Sequence, residues 1–329
     1  MKSFFHRRKR SLLESVLIVL LATALTVCAV EEQAFAAGLP AFDSKLNDDD
    51  IKQLTKKYDK DGYYLVTTGL KKAPGLSILV HLFYFSPETT NIDAADTYVH
   101  EAFHKCVRPN SEPTLEGKEY EKMNVYVGNK KSIKVKFTPV FRSNDMVNSI
   151  PKKFHRSNRF ALYVEDTGGT MSSDWDGVYG LLNEFGGYCW GMHDNVQMFA
   201  YRDRFADTEA TWNTFVTQGE SDRVAYAEFK YYILHYLRYA KVNRPGIYKK
   251  IMKNKAFKEA YGKVESRFAE DIATYEKDLE LIQTRMKRAG SSGSVKKMVS
   301  SVGVRSYYNS LIKEIKKSKY KSIEAALAE

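Results

Sequence analysis

The chain has 329 residues, 43% of them hydrophobic and 13% aromatic, with a formal charge of +11. That composition is ample for a packed core and excludes general disorder; the length suits one large domain or two ordinary ones. The charge is unevenly placed, because residues 241–329 hold 21 Lys and Arg against 10 Asp and Glu, a net +11 that leaves the remainder at zero. A basic C-terminal third suits an anionic surface such as a cell-wall polymer or a membrane face, and equally the solvated sides of amphipathic helices.

The N-terminal MKSFFHRRKR carries five basic residues, and Val16 to Val30 is an uncharged apolar run of 15. Such a run is short of the ~20 residues that a membrane span needs. Ala34-Phe35-Ala36 has the small-x-small pattern of a signal-peptidase site. Residues 1–36 are therefore expected to be a signal peptide, with an uncleaved signal anchor as the alternative. Cys28 lacks the small preceding residue of a lipoprotein site. The mature chain is expected to be secreted from about Ala37, without a stable membrane span, and export disfavours nucleic acid as a partner.

Asp48 to Gly62 predicts a short capped helix ending in a turn. Tyr63 to Thr68 and Leu76 to Phe85 are rich in β-branched and aromatic residues and predict strands. Residues 123–127 and 132–137, joined through Gly128-Asn129-Lys130, predict a hairpin. Phe160 to Val164 predicts a further strand. From Asp176 onward the pattern is helical, and Gly290 to Ser294 is the one linker-like interruption before a last basic helical region. The layout is α+β: a small, mostly antiparallel sheet with an N-terminal part over 37–175, a helical part over 176–289 and a basic extension over 290–329.

Within YVHEAFHKCV lies HEAFH. Asn91 predicts the cap of a helix running to Arg108, where Pro109 stops it, and Asp93 and Asp96 suit its first turns. Ile92, Ala95, Val99, Ala102, Phe103 and Cys106 recur as one buried stripe. His100 and His104 fall within about 40° of each other on the flank of that stripe, with Glu101 projecting on the same side. Two imidazoles one turn apart can share a zinc ion, and the glutamate is then placed to take a proton from its water. An exposed polar flank is the alternative. A zinc site needs a third protein ligand. In the segment Asp176 to Asn195, Gly177, Gly180, Glu184, Gly187, Tyr188 and Gly191 share one helical face. Four glycines cost a helix roughly 1 kcal/mol each relative to alanine. Either close helix packing or room for a metal and its substrate requires such a bare face; packing alone does not explain the carboxylate in its middle, and Glu184 is the expected ligand.

HEAFH followed by a helix bearing LLNEFGGY resembles the gluzincin-type zinc metallopeptidases. The resemblance covers those two helices. It implies a zincin-like fold, one zinc ion held by His100, His104 and Glu184, Glu101 as general base, and an oxyanion donor for which Tyr188 is the nearest candidate and Tyr179 the reserve. The interval from His104 to Glu184 is long, and no histidine follows at the metzincin spacing. Asp176-Gly177-Val178-Tyr179-Gly180 also resembles the aspartate motif of aspzincins, which keeps Asp176 as an alternative ligand, though a cap at the helix start is its expected role.

Three further expectations concern the remaining polar residues. Thr217 to Glu220 predicts a capping box before a helix on which Glu228, Tyr232, His235 and Tyr239 form a stripe, read as core with satisfied hydroxyls or as a border of the cleft. His81 and His193 are expected to be structural. Cys106 and Cys189 are expected to form a disulfide between the two ligand helices or to remain free buried thiols. The function implied is a secreted zinc-dependent hydrolase of peptide bonds, with Phe160 to Val164 as a sheet edge for an extended peptide substrate. The alternative is a non-catalytic cell-surface protein that binds an anionic polymer through its basic C-terminal region.

Overall fold

A computed structural model of the protein describes residues 46–72, 92–107, 122–166, 168, 171–204, 209–288, 290 and 293–329. Helix α1 (Asp48–Tyr58) opens on Asn47, whose side chain accepts from the Asp49 and Asp50 N–H groups while Asp50 reaches back to the Asn47 N–H. That reciprocal cap fixes the start of the helix. Asp59 then accepts from the N–H groups of Asp61 and Gly62 and starts α2 (Lys60–Lys72). The strand expected over Tyr63 to Thr68 is thus a helix. Gly62, Leu65, Val66 and Gly69 are buried at i, i+3, i+4 and i+7, and this stripe prevails over the local β propensity. Gly69 bounds no strand; it is where α2 crosses α3, and a Cβ there would stand 3.1 Å from the Ala102 carbonyl oxygen. The second strand, Leu76 to Phe85, lies outside the described residues, as do His81, Asn91 and Pro109.

Helix α3 (Ala95–Val107) carries HEAFH and follows a 3-10 turn over Ile92–Ala94. Every member of its expected stripe, Ile92, Ala95, Val99, Ala102, Phe103 and Cys106, is buried. The predicted hairpin forms from β1 (Lys122–Gly128) and β2 (Lys131–Lys136), antiparallel, with Met123 opposite Val135 and Val125 opposite Ile133. Asn129 and Lys130 both take positive φ, the conformation of a tight hairpin turn. Asp61 of α2 accepts from the Tyr126 hydroxyl and the Asn129 N–H, and the Trp190 indole donates to the Tyr126 carbonyl. This is the one sheet among the described residues. Phe160 to Val164 is a helical turn, not a strand: Ser157 accepts from the Phe160 N–H, and a π-helical segment continues through Ala161–Glu165. The peptide-pairing edge expected there does not exist.

The remaining helices of eight residues or more are α4 (Val178–Gln197), α5 (Glu209–Asn243), α6 (Pro245–Met252), α7 (Lys255–Arg288), α8 (Val295–Val302), α9 (Arg305–Ile315) and α10 (Ser318–Ala328). Helix α4 is buried on nearly every side, with α3, α5 and α7 packed against it. A helix apolar all round belongs in the middle of a protein. Chain 42–329 forms one compact unit, mostly helical with one hairpin, an α+β fold in the general sense. Among the described residues no helix is long and apolar enough to cross a membrane.

The capping box expected at Thr217 to Glu220 is absent, because α5 is already helical from Glu209. Gly219 instead admits the Tyr275 ring, and Glu220, fully buried, takes both arms of Arg305 at 3.0 and 2.7 Å. His193 stands between Asp271 at 3.0 Å and Asp59 at 3.5 Å, a structural role. His235 lies within hydrogen-bond reach of Ser149 through Nε2 and of Tyr320 through Nδ1, each at 2.8 Å. The stripe on α5 is therefore core at His235.

Burial, with the charges of Arg238 and Lys319, pulls His235 down to about 3. Its unfolded value is about 6.5, so the unfolded chain takes up the proton first. The associated stability is present above pH 6.5 and is lost as pH falls towards 3, by up to about 1.4 kcal/mol per pH unit. Urea unfolding of the wild type and His235→Gln between pH 7 and 4 should show a shallower acid slope for the variant.

Candidate metal centre

The site is made by two helices that meet almost backbone to side chain. Residues 186, 187 and 191 of α4 face α3. At Gly186 a Cβ would fall inside the Phe103 ring; at Gly191 it would stand 3.2 Å from the Asp96 carbonyl oxygen. At Gly187 it would stand 2.9 Å from His100 Nε2 and 3.0 Å from His104 Nε2. The two imidazoles occupy the space that this side chain lacks. Close approach is the physical reason for glycines that the helix would otherwise disfavour.

Glu184 projects into the same space, one turn before Tyr188. Its Oε2 lies 3.5 Å from His104 Nε2 and 4.0 Å from His100 Nε2, and the two nitrogens are 2.9 Å apart. The three side chains are 10–18% exposed. Among the described residues this is the one group of three or more potential metal-ligating side chains whose donor atoms converge. Donors around a tetrahedral ion at 2.0–2.2 Å would stand roughly 3.3–3.5 Å apart, so the observed triangle needs small adjustments to hold one. Asn183 Oδ1 lies 3.2 Å from His104 Nδ1 and suits a donated N–H there, which leaves Nε2 as the ligand atom once the ring is neutral.

The electrostatics fit a cation. Burial opposes charge on both imidazoles, and His100, beside His104, is pulled down to about 4. On His104 the adjacent Glu184 carboxylate and the bond to Asn183 overcome burial and push it up to about 9. His104 is therefore the imidazolium of the pair at neutral pH, and His100 the neutral ring. Glu101, half-exposed on α3, adds negative charge that both rings feel. Tyr188 sets its ring edge-on to His100, with centres 4.6 Å apart and planes at 90°.

The other expected participants lie elsewhere. Asp176 ends the short helix Ser172–Asp176 and is not in the converging group; Gly177, at φ 52°, occupies the cap position of α4 that was expected of it. The reserve phenol Tyr179 has its hydroxyl occupied by Thr138 and by the Asn254 amide. The Cys106–Cys189 disulfide is not formed, and both thiols are free and buried. They turn to opposite sides: Cys106 donates to the Leu65 carbonyl in α2, Cys189 to the Val264 carbonyl in α7. Burial pushes Cys106 up to about 11 and raises Cys189 as well, so neither is a thiolate at neutral pH.

Arg159, Tyr163 and Asn183 were not singled out by their sequence pattern. Asn183 carries a weak signal, as the polar residue before Glu184 in an apolar run. Arg159 and Tyr163 carry none, since a segment read as strand gives no reason to aim them at α4.

If the triangle holds zinc, Gly187→Ala should lower zinc retention at least about tenfold with helix content unchanged, because the added methyl displaces both imidazoles. Gly246→Ala, whose Cβ would meet nothing within 4 Å, is the neutral control. Elemental analysis after dialysis, with circular dichroism, checks both.

No family model, curated protein or solved structure matches this chain, and the chemistry of the centre stands on the geometry of its own residues.

Proposed function

We propose that the chain is an exported hydrolase of peptide bonds, dependent on one zinc ion, of the gluzincin type and zincin-like in its active-site helices. The observation that carries this reading is the convergence of His100 Nε2, His104 Nε2 and Glu184 Oε2 in the clearance at Gly187. Two imidazoles and a carboxylate are the ligand set of catalytic zinc, which keeps its remaining position for water or substrate. Zinc held there would supply Lewis acidity and bring the pKa of a water towards ~7. Glu101, next to His100 and half-exposed, accepts the proton of the attacking water and returns it to the leaving nitrogen. Tyr188 donates its O–H to the oxyanion that develops on the carbonyl. His104 gives up its proton on loading, so zinc affinity rises with pH below about 9.

The cell-surface reading draws on the exposed lysines of the C-terminal helices, with an anionic wall polymer as partner. Part of that charge is engaged internally, since Lys317 and Lys319 pair with Glu314, and Arg305 with Glu220. Zinc content of the purified protein separates the two readings, for a metal-free protein that binds polymer belongs to the second.

Glu101→Gln is expected to keep stoichiometric zinc and the fold while losing nearly all hydrolysis of any peptide the wild type cleaves. Retained turnover would remove Glu101 from its role. Glu184→Ala is expected to abolish zinc retention, whereas Asp176→Ala, at a buried position, should lower the melting temperature and leave the metal bound. The reverse pattern would assign the third ligand to Asp176.

A further inference from the structure

Two side chains from outside the ligand helices converge on the phenol that faces the centre. Arg159 lies just before the π-helical segment Ala161–Glu165. Its guanidinium carbon stands 4.6 Å from the centre of the Tyr188 ring. A guanidinium over an aromatic face is attracted by the ring's electron density and fixes the plane of the phenol. Tyr163, one turn further on, lies beside the same side chain. The ring already stands edge-on to His100.

Arg159 is tethered in turn. Its Nη2 donates to Ser221 Oγ at 2.8 Å, and Nη1 lies 3.4 Å from Glu228 Oε2. Glu228 is fully buried, and its other oxygen accepts from the hydroxyls of Tyr232 at 3.4 Å and Tyr307 at 3.1 Å. Tyr307 belongs to α9, beyond the Gly290 to Ser294 connection. A buried carboxylate that receives hydroxyls on one oxygen and a guanidinium on the other has little freedom to move. The chain of contacts runs from Tyr307 through Glu228 and Arg159 to Tyr188.

We propose that Arg159 is a positioning residue for Tyr188, and that the C-terminal helices act on the centre by holding Arg159 through Tyr307 and Glu228. The phenol is then held in one orientation because its ring is clamped between Arg159 and His100. This deepens the proposed function and rests on Tyr188 as the oxyanion donor.

The test uses the full-length protein with 13C at the Cζ of every tyrosine, Tyr188→Phe assigning the Tyr188 resonance. One sharp Tyr188 line is expected for the wild type. Arg159→Met and Tyr307→Phe should broaden or split that line with zinc content unchanged, and Arg159→Lys should restore part of its sharpness. On a peptide from a proteome-derived library that the wild type hydrolyses, Arg159→Met should lower kcat about 10²-fold and leave KM within about twofold. Should Arg159→Met fail to fold, Tyr307→Phe decides, since it removes one hydroxyl. An unchanged Tyr188 line in the folded variants, or a loss confined to KM, overturns the positioning role. A zinc-free wild type that cleaves no peptide overturns the proposed reaction, while the line still reports whether Arg159 orders the phenol.

Discussion

The close approach of α3 to α4 is the constraint on which the rest of the structure depends. Glycines at 186, 187 and 191 let the two axes come near enough for a ring to lie against bare backbone. A helix so exposed along one face cannot be stable by propensity, because each glycine weakens it. Its stability has to come from burial, and α4 is accordingly enclosed by α3, α5 and α7. The long C-terminal helices are in this sense part of the site: without them the glycine face would have no reason to stay helical.

Burial of α4 brings a second problem, since polar groups follow it into the interior. Glu184 meets two imidazoles, His193 meets two carboxylates, and Glu220 and Glu228 on α5 take arginines. Each arrangement offsets the cost of removing charge from water with an opposite charge or a hydrogen bond. The triad at Gly187 differs from the others in having its donor atoms converge on a point instead of pairing off. His100 and His104 stand nitrogen to nitrogen, a contact that only one shared proton or one shared cation makes favourable.

What was legible in the sequence followed from periodicity within single elements. The buried stripe of α3, and Gly187 and Gly191 beside Glu184 on α4, are readable because a helix places such positions together whatever surrounds it. Gly177 instead sits at the cap against Phe141 and Tyr236, and Gly186 lay outside the expected face. The hairpin was legible through its turn residues. The misreadings came where a local tendency competed with a longer pattern. Tyr63 to Thr68 has the β-branched and aromatic content of a strand, yet Gly62, Leu65, Val66 and Gly69 describe a helical stripe that burial rewards. Thr217 to Glu220 spells a cap, but Gly219 and Glu220 serve Tyr275 and Arg305, residues over 50 positions away. The disulfide failed for a related reason. The cysteines lie on α3 and α4, but their directions are set by α2 and α7. Arg159 was out of reach altogether, for its role exists only between elements.

The two free thiols carry a consequence of their own. Each is sealed by a different layer, Cys106 by α2 and Cys189 by α7, and neither reacts while its layer is closed. An oxidant or a thiol reagent in the surrounding medium therefore acts as a clock on local opening. The rate at which each sulfur is modified measures how often its own covering helix lifts away, independently of the other. In an oxidising medium this makes persistence of the fold a kinetic matter, decided by whichever of the two layers opens more often.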